Sequence, residues 1–213
     1  VDPSFITIDL IESNPRVLPQ LSPDVSEKVL AQLRKLGVNI FLNRRLEREE
    51  VEQVFMKDMS LKAKTVIWTA GTRLNNLYSQ IQGLEFSANK RIVVDDYLQA
   101  HGYKDVYVLG DAANTKFSGL AQTAIYDGEF AANQILGQIR GISRRKIYVP
   151  KKVAFSIPVG NRWGVFVYGP IKIYGQLGYF IRHAIDFVYF AGIVAPLKLF
   201  SLFREGWKYR VRK

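Results

Sequence analysis

Two hydrophobic periods alternate along the first two thirds of the chain. Phe5 to Ile11 (FITIDLI) is a strand-like run. Ser22-Pro23-Asp24 then opens a helix, with Ser22 as N-cap and proline at the first helical position. Val25, Val29, Leu33 and Leu36 recur at helical spacing and predict its buried stripe, and Gly37 closes it. Val38 to Leu42 predicts a second strand, Val51 to Met56 a third and Thr65 to Trp68 a fourth. Strand, helix and strand in this order predict an α/β fold and fit half of a doubly wound nucleotide domain.

The same alternation returns between Asp105 and Asn133, DVYVLGDAANTKFSGLAQTAIYDGEFAAN. Val106, Val108 and Leu109 predict a short buried strand, and Gly110 at its end lets a backbone or a ligand come close. Asp111 stands just beyond that strand's carboxyl end, where open α/β sheets place ligand-binding groups. After a loop, Gly119, Ala121, Ala124, Gly128, Ala131 and Ala132 recur at helical spacing. They leave one helix face almost free of bulk, on which something flat or another backbone can lie.

Past residue 140 the pattern changes. Residues 153–167 alternate apolar and polar on either side of Gly160-Asn161, which predicts a hairpin with Phe155, Ile157, Trp163 and Val165 turned toward a core. From Leu177 a helix would carry Phe180, Ala184, Phe187, Val188 and Ala191 on one side and Arg182 and Asp186 on another. Pro196 divides it from a second apolar segment, Leu197 to Phe203. The longest uncharged run here, Phe187 to Leu197, is 11 residues, against the ~20 that a spanning helix needs.

Charge sharpens this picture. The net +11 divides unevenly: residues 1–139 hold 15 Lys and Arg against 17 Asp and Glu, whereas residues 140–213 hold 15 against 2. Arg204, Lys208, Arg210, Arg212 and Lys213 are interleaved with Trp207 and Tyr209. Aromatic residues among clustered cations predict an anchor at a membrane surface, with Phe187, Phe190, Leu199, Phe203, Trp207, Lys208 and Arg210 as its contacts. Continuous Leu, Ile and Phe suit lipid better than base stacking, so nucleic acid is not an expected partner. The competing interpretation is an amphipathic pair packed on the protein's own core or across a homodimer.

The chain has no cysteine, which excludes a disulfide scaffold, a thiolate metal site and a redox dithiol within it. His101 and His183 lie far apart with no second ligand motif around them, so no metal site is expected.

The sequence around Glu12 (IESNPRVLP), the run VIWTAGTR at 66–73, the Gly110-Asp111 pair and Gly119-Leu120-Ala121-Gln122 follow one another in an order that resembles the type II NADH dehydrogenases. These are the non-pumping NADH:quinone oxidoreductases of the two-dinucleotide-binding flavoprotein superfamily. The resemblance implies that Gly110, Asp111, Leu120, Ala121 and Gln122 bind FAD, with Asp111 on a ribitol hydroxyl. The helix after Gly-Leu-Ala-Gln would point its N-terminus at the isoalloxazine, where its positive end stabilises charge on a reduced flavin. Glu12, at the end of the first strand, would accept the ribose hydroxyls of NADH and repel a 2′-phosphate. Ala70 and Gly71 would pass beside NADH as the chain returns to the FAD domain, and Gln122 and Tyr126 would line the quinone site. Tyr126 stands where the family pattern Ala-Gln-x-Ala-x-Gln has its second glutamine; it keeps a donor for a quinone carbonyl but is bulkier.

The resemblance also implies two G-x-G-x-x-G fingerprints, and the chain contains neither. The expectation is therefore the C-terminal portion of a longer Rossmann-like FAD/NAD flavoprotein, followed by the hairpin and membrane-associating helices. Residues 1–70 would close the NADH-binding domain, 71–142 would be the returning part of the FAD-binding domain, and 143–213 the hairpin and surface helices. The expected activity is hydride transfer from NADH to FAD and two electrons onward to quinone at the cytoplasmic face of a bacterial membrane, or the matrix face of an organelle inner membrane. Relatives that work through cysteine thiols, such as thioredoxin reductases, have chemistry that this chain cannot supply. Two alternatives stay open: a catalytically silent membrane- or partner-binding module of the same fold, and a soluble NADH:ferredoxin or diaphorase-type flavin reductase.

Overall fold

A computed structural model describes residues 5–142, 145–160, 162–195, 198 and 201. The chain forms two compact units, one built from residues 1–67 and 154–213 and the other from residues 68–153.

The first unit starts with β1 (Asp9–Ile11), α1 (Pro23–Lys35) and β2 (Asn39–Phe41). β1 and β2 pair in parallel, Asp9 opposite Asn39 and Ile11 opposite Phe41, as a strand-helix-strand unit requires. Proline at the start of α1 and Asp24 in its first turn favour the helix terminus, and Gly37 accepts a φ of +77° just past the end. Val25 and Val29 of the predicted stripe are buried in a core with Val17, Leu21, Val159, Val165 and Val167. Leu36 is not in that core: it caps the helix, is 46% exposed, and covers the turn at Gly160, where an added Cβ would stand 2.5 Å from its Cδ1.

The strands differ from expectation where pairing, rather than local pattern, decides. Only the last three residues of the predicted 5–11 strand pair, and Phe5, Ile6 and Ile8 are exposed. In place of one strand over 51–56 there is an antiparallel meander, β3 (Leu46–Glu50), β4 (Gln53–Met56) and β5 (Met59–Lys62). Val51, expected in the strand, is on the β3–β4 turn beside Glu52, whose φ is +58°. Thr65 to Trp68, predicted as a strand, has no ladder, and Ile67 and Trp68 are exposed.

Residues 154–195 add β6 (Phe155–Pro158), β7 (Gly164–Tyr168), β8 (Ile171–Gly175) and α3 (Gln176–Ala191) to this unit. The three strands form an antiparallel sheet whose inner face carries Val165 and Val167 into the core with α1. Asp24 of α1 is held from β8, since Lys172 Nζ donates to both its oxygens at 2.7 and 2.9 Å and the Tyr174 hydroxyl donates at 3.1 Å. The first turns of α3 lie backbone against backbone on β7: a Cβ on Gly178 would stand 2.5 Å from the Gly164 carbonyl oxygen. Tyr179 is buried beside it, whereas Leu177, Phe180, Phe187, Val188, Tyr189, Phe190 and Ile193 are exposed. Arg182 and Asp186 pair at 3.2 Å one turn apart. Among the described residues no helix is long and apolar enough to cross a membrane.

In the second unit, Ile92, Ala100, Val108 and Ala113 are buried together, with Leu74, Tyr78, Leu84 and Val94 against them. The predicted 106–109 strand is reduced to short antiparallel pairing with residues 98–100: Val108 N donates to Leu98 O at 2.9 Å and Ala100 N to Val106 O at 2.8 Å. A strand forms only where a partner offers a ladder, and among the described residues the partner of 106–109 is this short stretch. The predicted small-residue helix is present as α2 (Ala121–Ile139).

Candidate functional site

The Gly110–Asp111 turn is built by groups on both sides of it. Gly110 takes a φ of +61°, a region that penalises any residue with a Cβ, and an added Cβ would lie 3.0 Å from the Cβ of Ala124 on α2. The small face of the helix is thus filled, at Ala124, by the protein's own backbone. From Gly110 to Ala112 the chain makes one tight 3-10 turn, and Ala113 N donates to Gly110 O at 3.2 Å. Ile92 then brackets the following residues: its N–H donates to Ala112 O at 2.9 Å and its carbonyl accepts from Asn114 N at 2.8 Å. Asp111 is exposed at the corner of this turn, while Gly110 is buried.

The loop after the turn is tied back to the helix. Thr115 and Ser118 bond each other and the Ala113 carbonyl, and Thr123 Oγ1 donates to Phe117 O at 2.8 Å. Gly119 has a φ of +95° and admits Arg91, whose Nη2 lies 3.0 Å from where a Cβ would stand. α2 begins after Leu120, which has no oxygen to cap the first-turn N–H groups. A helix start with no side-chain cap from Leu120 and a guanidinium beside it offer donors, and the exposed carboxylate at the tight turn offers acceptors, a combination suited to a ligand carrying hydroxyls and a group that becomes anionic.

Two residues that sequence reasoning did not single out hold this arrangement. Asp127, fully buried on α2, accepts from Gly110 N at 2.9 Å and from the Tyr148 hydroxyl at 2.5 Å. Burial, and then the bond to Asp127, push the Tyr148 phenol above its ordinary value, so it stays a donor at neutral pH. Further along the same returning segment, Lys151 Nζ lies 4.4 Å over the ring of Tyr126.

Gly110, Asp111, Leu120, Ala121, Gln122 and Tyr126 thus fall on one turn and the first turns of one helix. Ala70 and Gly71 lie in the same unit on an exposed stretch, where Gly71 has a φ of +103° and donates to Thr69 O at 2.9 Å.

Glu12 belongs to the other unit. Its backbone extends the β1–β2 pairing by one rung at the carboxyl end, Glu12 N to Phe41 O at 2.9 Å and Arg44 N to Glu12 O at 3.0 Å. Its Oε1 collects Asn14 N at 2.8 Å, Asn14 Nδ2 at 2.7 Å and Ser13 Oγ at 3.3 Å. Partial burial pushes this carboxyl up, but the donors from Asn14 and Ser13 outweigh it and hold it below its ordinary value. Of the predicted membrane contacts, Phe187 and Phe190 are exposed on α3; Leu199, Phe203, Trp207, Lys208 and Arg210 lie outside the described residues.

Residues 6–128 match the sequence profile of the family described as pyridine nucleotide-disulphide oxidoreductase. The chain belongs to that family. This family member is 32% identical over 114 residues to a type II NADH:quinone oxidoreductase of Haemophilus influenzae, covering 53% of the chain and 26% of that protein. To a protein of the same name from Staphylococcus saprophyticus it is 28% identical over 198 residues, 87% of the chain and 48% of that protein. The chain therefore spans a quarter to a half of the length of these relatives. Among solved structures, the sulfide:quinone oxidoreductase of Aquifex aeolicus superposes with a TM-score of 0.65 at 17% identity, covering 85% of the chain and 49% of that one. That likeness shows a shared fold, which the family match describes as that of the pyridine nucleotide-disulphide oxidoreductases. Since the chain has no cysteine, what it contributes to that fold is not a thiol.

Proposed function

We propose that the chain is the C-terminal portion of an FAD-dependent NADH:quinone oxidoreductase that does not pump protons. Support comes above all from the Gly110–Asp111 turn docked on α2, in a chain whose relatives are named type II NADH:quinone oxidoreductases. FAD held by these residues would supply the redox chemistry, as the acceptor of hydride from NADH and the donor of two electrons to the quinone. The chain's residues bind and orient. Asp111 accepts from a ribitol hydroxyl, and the α2 N-terminus around Leu120, Ala121 and Gln122 stabilises negative charge at the ring. Gln122 and Tyr126 border the quinone headgroup, with Lys151 fixing the Tyr126 ring from above. Glu12, at the carboxyl end of β1, accepts the NADH ribose hydroxyls, and Ala70 and Gly71 approach the nicotinamide side.

By the same proposal, residues 1–70 close the NADH domain, 71–142 return to the FAD domain, and 143–213 form a peripheral membrane anchor or a homodimer contact. The exposed apolar side chains of α3 and the +13 balance of residues 140–213 favour an anionic bilayer facing the NADH-containing compartment, the bacterial cytoplasm or an organelle matrix.

Glu12 offers the sharpest test of the nucleotide half. In the intact protein, Glu12→Gln should narrow the kcat/KM preference for NADH over NADPH by about tenfold, because the repulsion of a 2′-phosphate is lost. An unchanged preference would remove Glu12 from the nucleotide site.

A further inference from the structure

Asp127 is an anomaly on its helix. The face it occupies carries Thr123, Ala131 and Gln134, all buried, and at 0% exposure its carboxylate is out of water altogether. A buried carboxylate is strongly unfavourable unless its oxygens are matched by donors. Here each oxygen has one: Gly110 N–H at 2.9 Å on Oδ2 and the Tyr148 hydroxyl at 2.5 Å on Oδ1.

The identity of the first donor gives this its meaning. Gly110 is the residue whose φ of +61° sets the turn, and its N–H is the group that meets the helix at Asp127. Ala124, one turn earlier on α2, meets the same glycine from below at the 3.0 Å limit for an added Cβ. Thr123 on the same helix pins the far end of the loop through Phe117 O at 2.8 Å. The segment between residues 110 and 117 is therefore clamped at both ends to the first two turns of α2, and Asp111 is the exposed acid it presents.

We infer that Asp127 is the positioning residue of the flavin site, fixing Asp111 relative to the α2 N-terminus through the Gly110 N–H, with Tyr148 holding the carboxylate in place. This rests on the proposal that Asp111 contacts FAD. Asparagine at 127 keeps the shape but can turn only one acceptor oxygen toward two donors, so one of the two bonds is lost.

The test is FAD titration into the apo form of the intact protein, followed by visible circular dichroism of the bound flavin. Asp127→Asn should weaken FAD binding about tenfold and alter the dichroism, as expected when the support of a binding group is loosened. Leu84→Ala, a truncation in the core of the same unit, controls for stability and should leave both readouts near wild type. Should Asp127→Asn not fold, Tyr148→Phe carries the test, with a smaller change of the same kind that still exceeds that of Leu84→Ala. If these variants change FAD binding and dichroism no more than Leu84→Ala while Asp111→Ala abolishes binding, the inference about Asp127 is wrong and the flavin proposal stands. If Asp111→Ala binds FAD as wild type does, the flavin proposal itself falls.

Discussion

Gly110 carries two constraints at once, a left-handed backbone and a 3.0 Å approach to Ala124. Alanine at 110 meets both, the backbone penalty alone being about 1–2 kcal/mol. Gly110→Ala should therefore lower the unfolding free energy by at least about 1 kcal/mol in urea denaturation; a change within a few tenths would mean that the turn relaxes freely. The residues of this corner differ in how well the sequence announces them. The Gly-Asp pair and the small-residue helix are local patterns, and both read directly. Asp127 does not, because an acid among small residues looks like an exposed one until its partners are known. Those partners, Gly110 and Tyr148, are 17 residues before it and 21 after it. Arg91 against Gly119 is hidden for the same reason.

Elements show the same divide between local and distant causes. α1 and α2 are legible because their signals are written within one segment, a serine-proline start and an apolar stripe for α1 and small residues at helical spacing for α2. Strands depend on partners, so apolar runs at 5–8, 65–68 and 106–109 suggest more ladder than forms, while the charged LEREE of β3 suggests less. How α1 is held to its neighbour sheet is also a distant matter, and it leaves a pH signature. Lys172 beside Asp24, helped by Ser22 and then Tyr174, holds that carboxyl well below the usual carboxylate range. A folded-state value depressed in this way contributes stability that is present above the unfolded value of about 4 and is lost as pH falls through the folded value. Asp24→Asn should thus lower the melting temperature at pH 7, and the gap to wild type should shrink as the pH is taken below about 4. Because the pair is exposed, the effect is modest and should weaken with added salt. A gap that stays constant with pH would remove the ion pair as its cause.

At the scale of the whole molecule, the chain divides its work by composition. Its first two thirds, close to neutral, carry the fold of the pyridine nucleotide-disulphide oxidoreductases, and the last third carries all of the excess positive charge and a helix with an exposed apolar side. A flavoprotein that passes electrons to a lipid-soluble acceptor needs both parts, which is why the two are joined in the proposal of an NADH:quinone oxidoreductase. Its central claim is that the Gly110–Asp111 turn and the start of α2 are half of a flavin site reduced by NADH. The most direct measurement is the visible spectrum of the intact purified protein, recorded without oxygen before and after NADH and again after a quinone. A flavin band that bleaches with NADH and returns with quinone is the predicted result. A colourless protein that takes up no FAD, or a band that NADH leaves untouched, would contradict it.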